Sequence, residues 1–269
     1  MRAPSILRLN FAGLVLALVT VIATVAWAFP LVWAIMTTMA PQVEGAPLDG
    51  LAVYAKALFE TPIGLWYLNS LVTSGTVTVV VIAISAAAGY AISQLEFWGR
   101  KALWYLILAS FMIPVQALIV NHFLLMNSWK LINTWAGVIL PQLIAPIAVI
   151  VYKQFFDSVP RELSEAAKVD GASHARLLWS IYLPVNWGVT AALAIIVFIG
   201  AWNAFLWPFL VVTKEPLMNV TVAIGQVEQY LGVGGLAAAL LAGLPVALVY
   251  LVFQKKVTEA IMLSSGIKG

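Results

Sequence analysis

Only 9% of the 269 residues in this chain are charged and 63% are hydrophobic, a balance that excludes an ordinary domain folded in water. The formal net charge of +3 is too small to point to nucleic acid. With no cysteine, a disulfide framework, a thiolate metal site and a cysteine nucleophile are all excluded.

Apolar runs that approach or exceed the ~20 residues of a bilayer crossing predict six spans. They are Phe11–Met39, Leu65–Ile92, Leu103–Met126, Trp135–Phe156, Val185–Val212 and Gly235–Phe253. Each is expected to be helical, because a lone strand cannot satisfy its backbone in lipid; the fold class is all-α and polytopic. Arg2 and Arg8 precede the first run as in a signal peptide, but the run is too long for one and five more follow. The first connector, Ala40 to Gly64, is punctuated by proline and glycine and too short for a domain. Pro114, Pro141, Pro146 and Pro208 fall inside spans, where neighbouring helices tolerate the lost hydrogen bonds. Residues 1–269 read as a single transmembrane domain.

Lysine and arginine orient the spans. With both termini in the cytoplasm, the inner segments hold Arg2, Arg8, Arg100, Lys101, Lys153, Arg161, Lys168, Arg176, Lys255, Lys256 and Lys268. The outer segments hold only Lys56, Lys130 and Lys214. This bias puts residues 157–184, the most polar stretch between two spans, on the cytoplasmic side.

Within that stretch the local signals predict two short helices at an angle. Pro160 suits a first helical turn, and Glu162 and Glu165 follow where carboxylates favour a helix N-terminus. Gly171 can take the left-handed conformation that ends a helix, and Ser173 can cap the next, with Asp170 just ahead of it. Ala166 and Ala167 keep the first helix slim. A loop lying on the membrane surface would be the plain alternative, but it explains neither the Gly171 spacing nor the ending Ile181-x-Leu183-Pro184.

The spacing Glu165-Ala166-Ala167, three residues, Gly171, nine residues, Ile181-x-Leu183-Pro184 resembles the EAA signature of the permease subunits of ATP-binding-cassette (ABC) importers. Trp202-Asn203-Ala204-Phe205-Leu206-Trp207-Pro208 is similar to a stretch in the carbohydrate permeases of the maltose type. Met112-Ile113-Pro114, Asn133-Thr134-Trp135-Ala136-Gly137, Gln154-Phe155-Phe156 and the terminal Gly266-Ile267-Lys268-Gly269 also resemble words of that family. One departure is Lys168-Val169, where many relatives carry arginine and isoleucine.

The resemblance implies the type I ABC importer permease fold, with 157–184 as a coupling loop that docks into a cleft on the ATPase. Glu165, Ala166, Ala167, Asp170 and Gly171 would take the coupling roles. It also implies the partners: a second homologous permease, a dimeric ABC ATPase, an extracytoplasmic solute-binding protein, membrane lipid and a carbohydrate-like solute, with no nucleic acid. The location implied is the bacterial or archaeal cytoplasmic membrane. The chain would be non-catalytic and hold no cofactor; ATP and magnesium would be bound by the ATPase.

The residues themselves agree with an external motor. No GxxxxGK[ST] phosphate loop occurs, and no Asp, Glu, Lys or Arg lies in the apolar centre of a span, where a secondary transporter commonly places one. His122 and His174 read as ordinary polar residues, since no second metal ligand is near either in sequence. The candidates for solute contact are Asn69, Gln116, Asn121, Trp202 and Asn203, because sugars are held by amide hydrogen bonds and aromatic stacking. The bland alternative for each is a hydrogen bond between helices. The resemblance implies that the long outer connector Thr213 to Gly234 meets the binding protein; a mobile connector, helped by Gly232, Gly234 and Gly235, is the plain alternative. Two other readings are kept: a permease for glycerol-3-phosphate or another organic solute, and a channel or secondary transporter acting alone.

Overall fold

The computed structural model describes residues 11–40, 50–231 and 233–264. Arg2, Arg8 and the terminal Gly266-Ile267-Lys268-Gly269 lie outside the described residues. Two compact units are distinguished, residues 1–61 with 227–241 and residues 62–226 with 242–269. No strand occurs among the described residues.

In the first unit, α1 (Phe11–Met39) is a 29-residue apolar helix with Pro30 inside it. Its described side chains are nearly all exposed, as a lipid-facing helix requires. A short helix that the sequence does not announce, α2 (Gly50–Phe59), follows, and Tyr54 of α2 shares a 2.9 Å hydrogen bond with Thr38. The helix α14 (Val233–Ser264) has residues in both units and holds Pro245 within it.

The second unit is organised on α3 (Ile63–Gln94), a 32-residue helix. Thr73, Ser74 and Thr78 turn their hydroxyls back onto carbonyls one turn earlier, which hides polar groups within the apolar environment. α3 packs most closely on α7 (Pro146–Asp157) and α11 (Trp187–Trp202). The contact with α7 depends on Gly89: a Cβ there would lie 2.7 Å from Tyr152 Cβ and 3.1 Å from the Lys153 nitrogen. Only a residue without a side chain lets the two backbones meet so closely. Around this contact Tyr90, Tyr152, Phe156, Leu177, Tyr182, Val189 and Leu193 form one buried core.

The remaining crossings are bent. α4 (Arg100–Phe111) turns by 93° into a 3₁₀ turn, Val115–Leu118, and α5 (Ile119–Ser128). α6 (Trp135–Ile139), with the 3₁₀ turn Leu140–Gln142, meets α7 at 48°. The segment after α8 (Arg161–Val169) begins with α9 (His174–Leu177), widens into a π segment, Leu178–Tyr182, and ends in α10 (Leu183–Val185). It turns by 85° into α11 at Asn186. Beyond α11 come α12 (Leu206–Val211) and α13 (Val220–Leu231). Gly13–Met39, Ile63–Gln94 and Gly234–Gln254 are each long and apolar enough to cross a membrane, and the crossings number six if each bent pair is one span.

Two expectations change. Pro114, Pro141 and Pro146 do not sit within unbroken spans; they stand at the starts of new helical segments, because proline removes a donor and collides with the preceding turn. The fifth span does not run unbroken to Val212, since the helix stops at Trp202 and restarts at Leu206.

Candidate functional site

Local chemistry builds the charged loop as the sequence expects. α8 ends in a Schellman motif: Gly171 has φ +77°, the Ala172 N–H donates to the Ala167 carbonyl at 2.9 Å, and the Gly171 N–H donates to Lys168 at 3.0 Å. Ser173 then caps α9, its hydroxyl accepting from the Arg176 N–H at 3.3 Å. Pro160 is the N-cap of α8, one position before the first turn where the sequence reading put it. Glu162, Glu165, Ala166 and Val169 occupy one exposed stripe at helical spacing, with Val169 88% exposed. Ala167 faces the other way, packed against the core, so the two alanines serve different surfaces. Asp170 is the exposed C-cap of α8, the end where the helix dipole disfavours a carboxylate, with no ion pair to it among the described residues. Its charge does little for its own helix and is presented outward.

A polar network ties this loop to the ends of α3 and α7. The Tyr90 hydroxyl and His174 Nδ1 share a 3.0 Å hydrogen bond. The Tyr182 hydroxyl donates to Gln94 Oε1 at 2.7 Å, and Gln94 Nε2 donates to Ser93 Oγ at 2.7 Å and to the Phe156 carbonyl at 3.2 Å. Ser93 Oγ donates to Asp157 Oδ1 at 2.6 Å, and Asp157 is paired with Lys153. Arg100 reaches back to the Ile92 and Ser93 carbonyls, occupying acceptors that the C-terminus of α3 would otherwise leave open. Nothing in the sequence picks out Tyr90 or Gln94, because their partners are 84 and 88 residues away.

A second feature lies where three helix breaks converge. A cavity of about 370 Å³ is lined by Val115 and Gln116 after the first break, Pro141, Gln142 and Ile144 at the second, and Ala204, Phe205, Leu206 and Trp207 at the third, with His122 and Ile119. Interrupted backbone at membrane depth is tolerated where it is buried in protein or lines a cavity. Trp207 fixes one wall by donating to the Gly137 and Val138 carbonyls, each at 3.2 Å, and stands edge-on to His122. Phe205 stacks on Phe209 with ring centroids 5.3 Å apart. Among the described residues the lining holds amides, one imidazole and aromatic rings, and no lysine, arginine or carboxylate.

Of the five candidates for solute contact, only Gln116 lines this cavity. Asn121 and Asn203 are exposed outside its lining. Asn69 is 1% exposed and its amide is committed: both hydrogens go to the Pro216 and Met218 carbonyls, at 2.9 and 3.0 Å, and its oxygen accepts from Trp135 Nε1 at 3.1 Å. Trp202 is 3% exposed and packed between Tyr67 and Phe198, so its faces are covered within the chain. Asn69 belongs to a set that fastens the segment after α12. Val220 N–H donates to Ser70 Oγ at 2.8 Å, Asn219 Nδ2 to Thr73 Oγ1 at 3.1 Å, and Trp66 Nε1 to the Glu215 carbonyl at 3.3 Å. Asn133 Oδ1 accepts from the Thr213 and Lys214 N–H groups. Lys214, Glu215 and Pro216 remain exposed on this fastened segment. No cluster of three or more metal-ligating side chains occurs among the described residues.

Comparison with known proteins gives these features a context. Residues 79–261 match the family described as binding-protein-dependent transport system inner membrane component. A stretch of 163 residues is 37% identical to the sn-glycerol-3-phosphate transport system permease protein UgpE of Yersinia pestis bv. Antiqua (strain Antiqua), spanning 61% of this chain and 58% of that relative. UgpE of Pectobacterium atrosepticum is 34% identical over 72% of this chain and 71% of its own length. The arabinooligosaccharides transport system permease protein AraQ of Halalkalibacterium halodurans is 33% identical over 76% and 74%. A chain from the crystal structure of a bacterial ABC transporter involved in the import of the acidic polysaccharide alginate superposes with a TM-score of 0.81 over 94% of this chain and 99% of that one, at 20% identity.

Proposed function

Since this chain belongs to the family of binding-protein-dependent transport system inner membrane components, we propose that it is the permease subunit of an ATP-driven importer for sugars or related polyols. It forms half of a translocation pathway, with a second, homologous permease as the other half. A dimeric ABC ATPase binds ATP and magnesium beneath, and an extracytoplasmic protein delivers solute. Both termini lie in the cytoplasm of a bacterial or archaeal cell, and residues 157–184 are the coupling loop of a single membrane domain.

The observation that carries this reading is the exposed α8–Gly171–α9 turn, built by its own caps and followed by a segment fastened to α3 behind it. Its outer stripe of Glu162, Glu165, Ala166 and Val169, with Asp170 beside it, suits a cleft on a partner protein. Closure of the ATPase dimer would then move the loop, and the helices attached to it, as one lever. On the solute side, the cavity with Gln116, His122 and Gln142 between Phe205 and Trp207 has the chemistry a hydroxylated ligand uses. Asn121 and Asn203 stand outside that lining as flanking polar groups, whereas Asn69 and Trp202 act in packing.

The identity to the glycerol-3-phosphate permeases favours a second reading, a phosphorylated polyol. Among the described residues the cavity lining has no lysine or arginine to meet a phosphate, so on this reading the other permease would supply the cation. Reconstitution of the chain with its neighbouring permease, ATPase and binding protein tests both readings. Solute uptake that requires ATP supports the importer, and competition by glycerol-3-phosphate rather than by neutral sugars selects the second reading. Uptake by the chain alone, without an ATPase, would overturn both.

A further inference from the structure

We propose that Tyr90 and Gln94 are positioning residues that latch the segment from His174 to Tyr182 onto α3 at two points, so that a push on the loop reaches α3 without passing through the bend at Asn186. The proposal rests on the coupling role given above to residues 157–184.

The geometry is specific. Tyr90 and Gln94 are one turn apart on one face of α3, and they meet His174 at 3.0 Å and Tyr182 at 2.7 Å, eight residues apart across α9 and the π segment. One hydrogen bond leaves a rotation free about itself, whereas two separated bonds fix an orientation. The covalent route from the loop to the next long helix is the compliant one. It runs through a π segment, a helix form common at functional sites, and then an 85° turn into α11. A displacement of α8 would be absorbed there unless a second connection carried it. Gln94 extends that connection to α7 through the Phe156 carbonyl, and Tyr90 packs edge-on against Tyr182 with ring centroids 5.1 Å apart.

Tyr90→Phe with Tyr182→Phe removes one hydroxyl from each latch point and keeps the aromatic packing. Two measurements decide. In the cysteine-free chain, spin labels at Glu96→Cys and Ser180→Cys should give one narrow distance distribution with both tyrosines present and a broadened one in the double variant. In the reconstituted transporter, solute moved per ATP hydrolysed should fall at least roughly fivefold, the factor that one of the two lost hydrogen bonds is worth at ordinary strength. Assembly and ATP turnover should hold. His174→Gln, which keeps an acceptor for Tyr90, should retain most of the ratio that His174→Leu loses. An unchanged distribution and ratio would overturn the latch, and so would poor assembly with a normal ratio, the mark of a purely structural role. If the transporter with both tyrosines shows no ATP-coupled uptake, the importer reading fails instead, while the distance distributions still decide whether the two points hold the segment.

Discussion

Two of the polar regions of residues 62–226 handle hydrogen bonds in opposite ways. Between α3, α7 and the charged loop, side chains saturate one another: Tyr90, Ser93, Gln94, Asp157, His174 and Tyr182 all have partners within the chain. At the cavity, Gln116 is exposed and its lining neighbours close only part of the wall. Saturated groups hold a shape, and groups left facing a space are available to whatever enters it. The same residue types therefore serve as fastening in one place and as recognition in the other, and buried partners decide which.

The comparison breaks most completely at Gly171. Gly171→Pro cannot reach φ +77°, so the turn between α8 and α9 should be lost and ATP-dependent uptake abolished, with the chain still present in the membrane. Gly171→Asn, which tolerates the left-handed region, should retain part of the uptake. Normal uptake by the proline variant in vesicles would detach the loop from coupling. Next is the contact behind the loop: Gly89→Leu drives a side chain into Tyr152 and the α7 backbone and should cost at least about 1–3 kcal/mol, read as a lower unfolding temperature in detergent. Asn69→Ala should follow, with a destabilisation of about 1–3 kcal/mol from the carbonyls and indole it abandons and no change in which solute is preferred. A changed preference there would return Asn69 to the solute pathway. The smallest effect is expected from Gln116→Ala, roughly a fivefold rise in the half-saturating solute concentration with normal assembly. Reduced stability with unchanged affinity would make Gln116 a packing residue and place solute contact elsewhere.

What the chain announces in advance depends on the range of the interaction. The turn at Gly171 and the cap at Ser173 are set by neighbours within five residues, and both are legible from residue type alone. The long apolar runs are equally plain, because lipid imposes a length. The prolines are legible in the chain, yet that three helix breaks line one cavity is invisible, because the segments are far apart in the chain. Asn69 and Trp202 look suited to a sugar by residue type, and that both are engaged within the chain is visible only from their distant partners. α2 escapes notice because a ten-residue apolar helix in a connector lacks the length of a span.

The fastening of the segment after α12 has a consequence for how the protein is made. Asn69, Ser70 and Thr73 find their partners 146 to 150 residues further along the chain. At a synthesis rate of about 5–20 residues per second, these helix-start groups wait roughly 7–30 s before the segment that satisfies them exists. Thr73 also bonds the Asn69 carbonyl within its own helix, whereas the Asn69 amide donates to the Pro216 and Met218 carbonyls. During synthesis the start of α3 therefore precedes its partners, and its hydrogen bonding is completed only when residues 213–220 arrive.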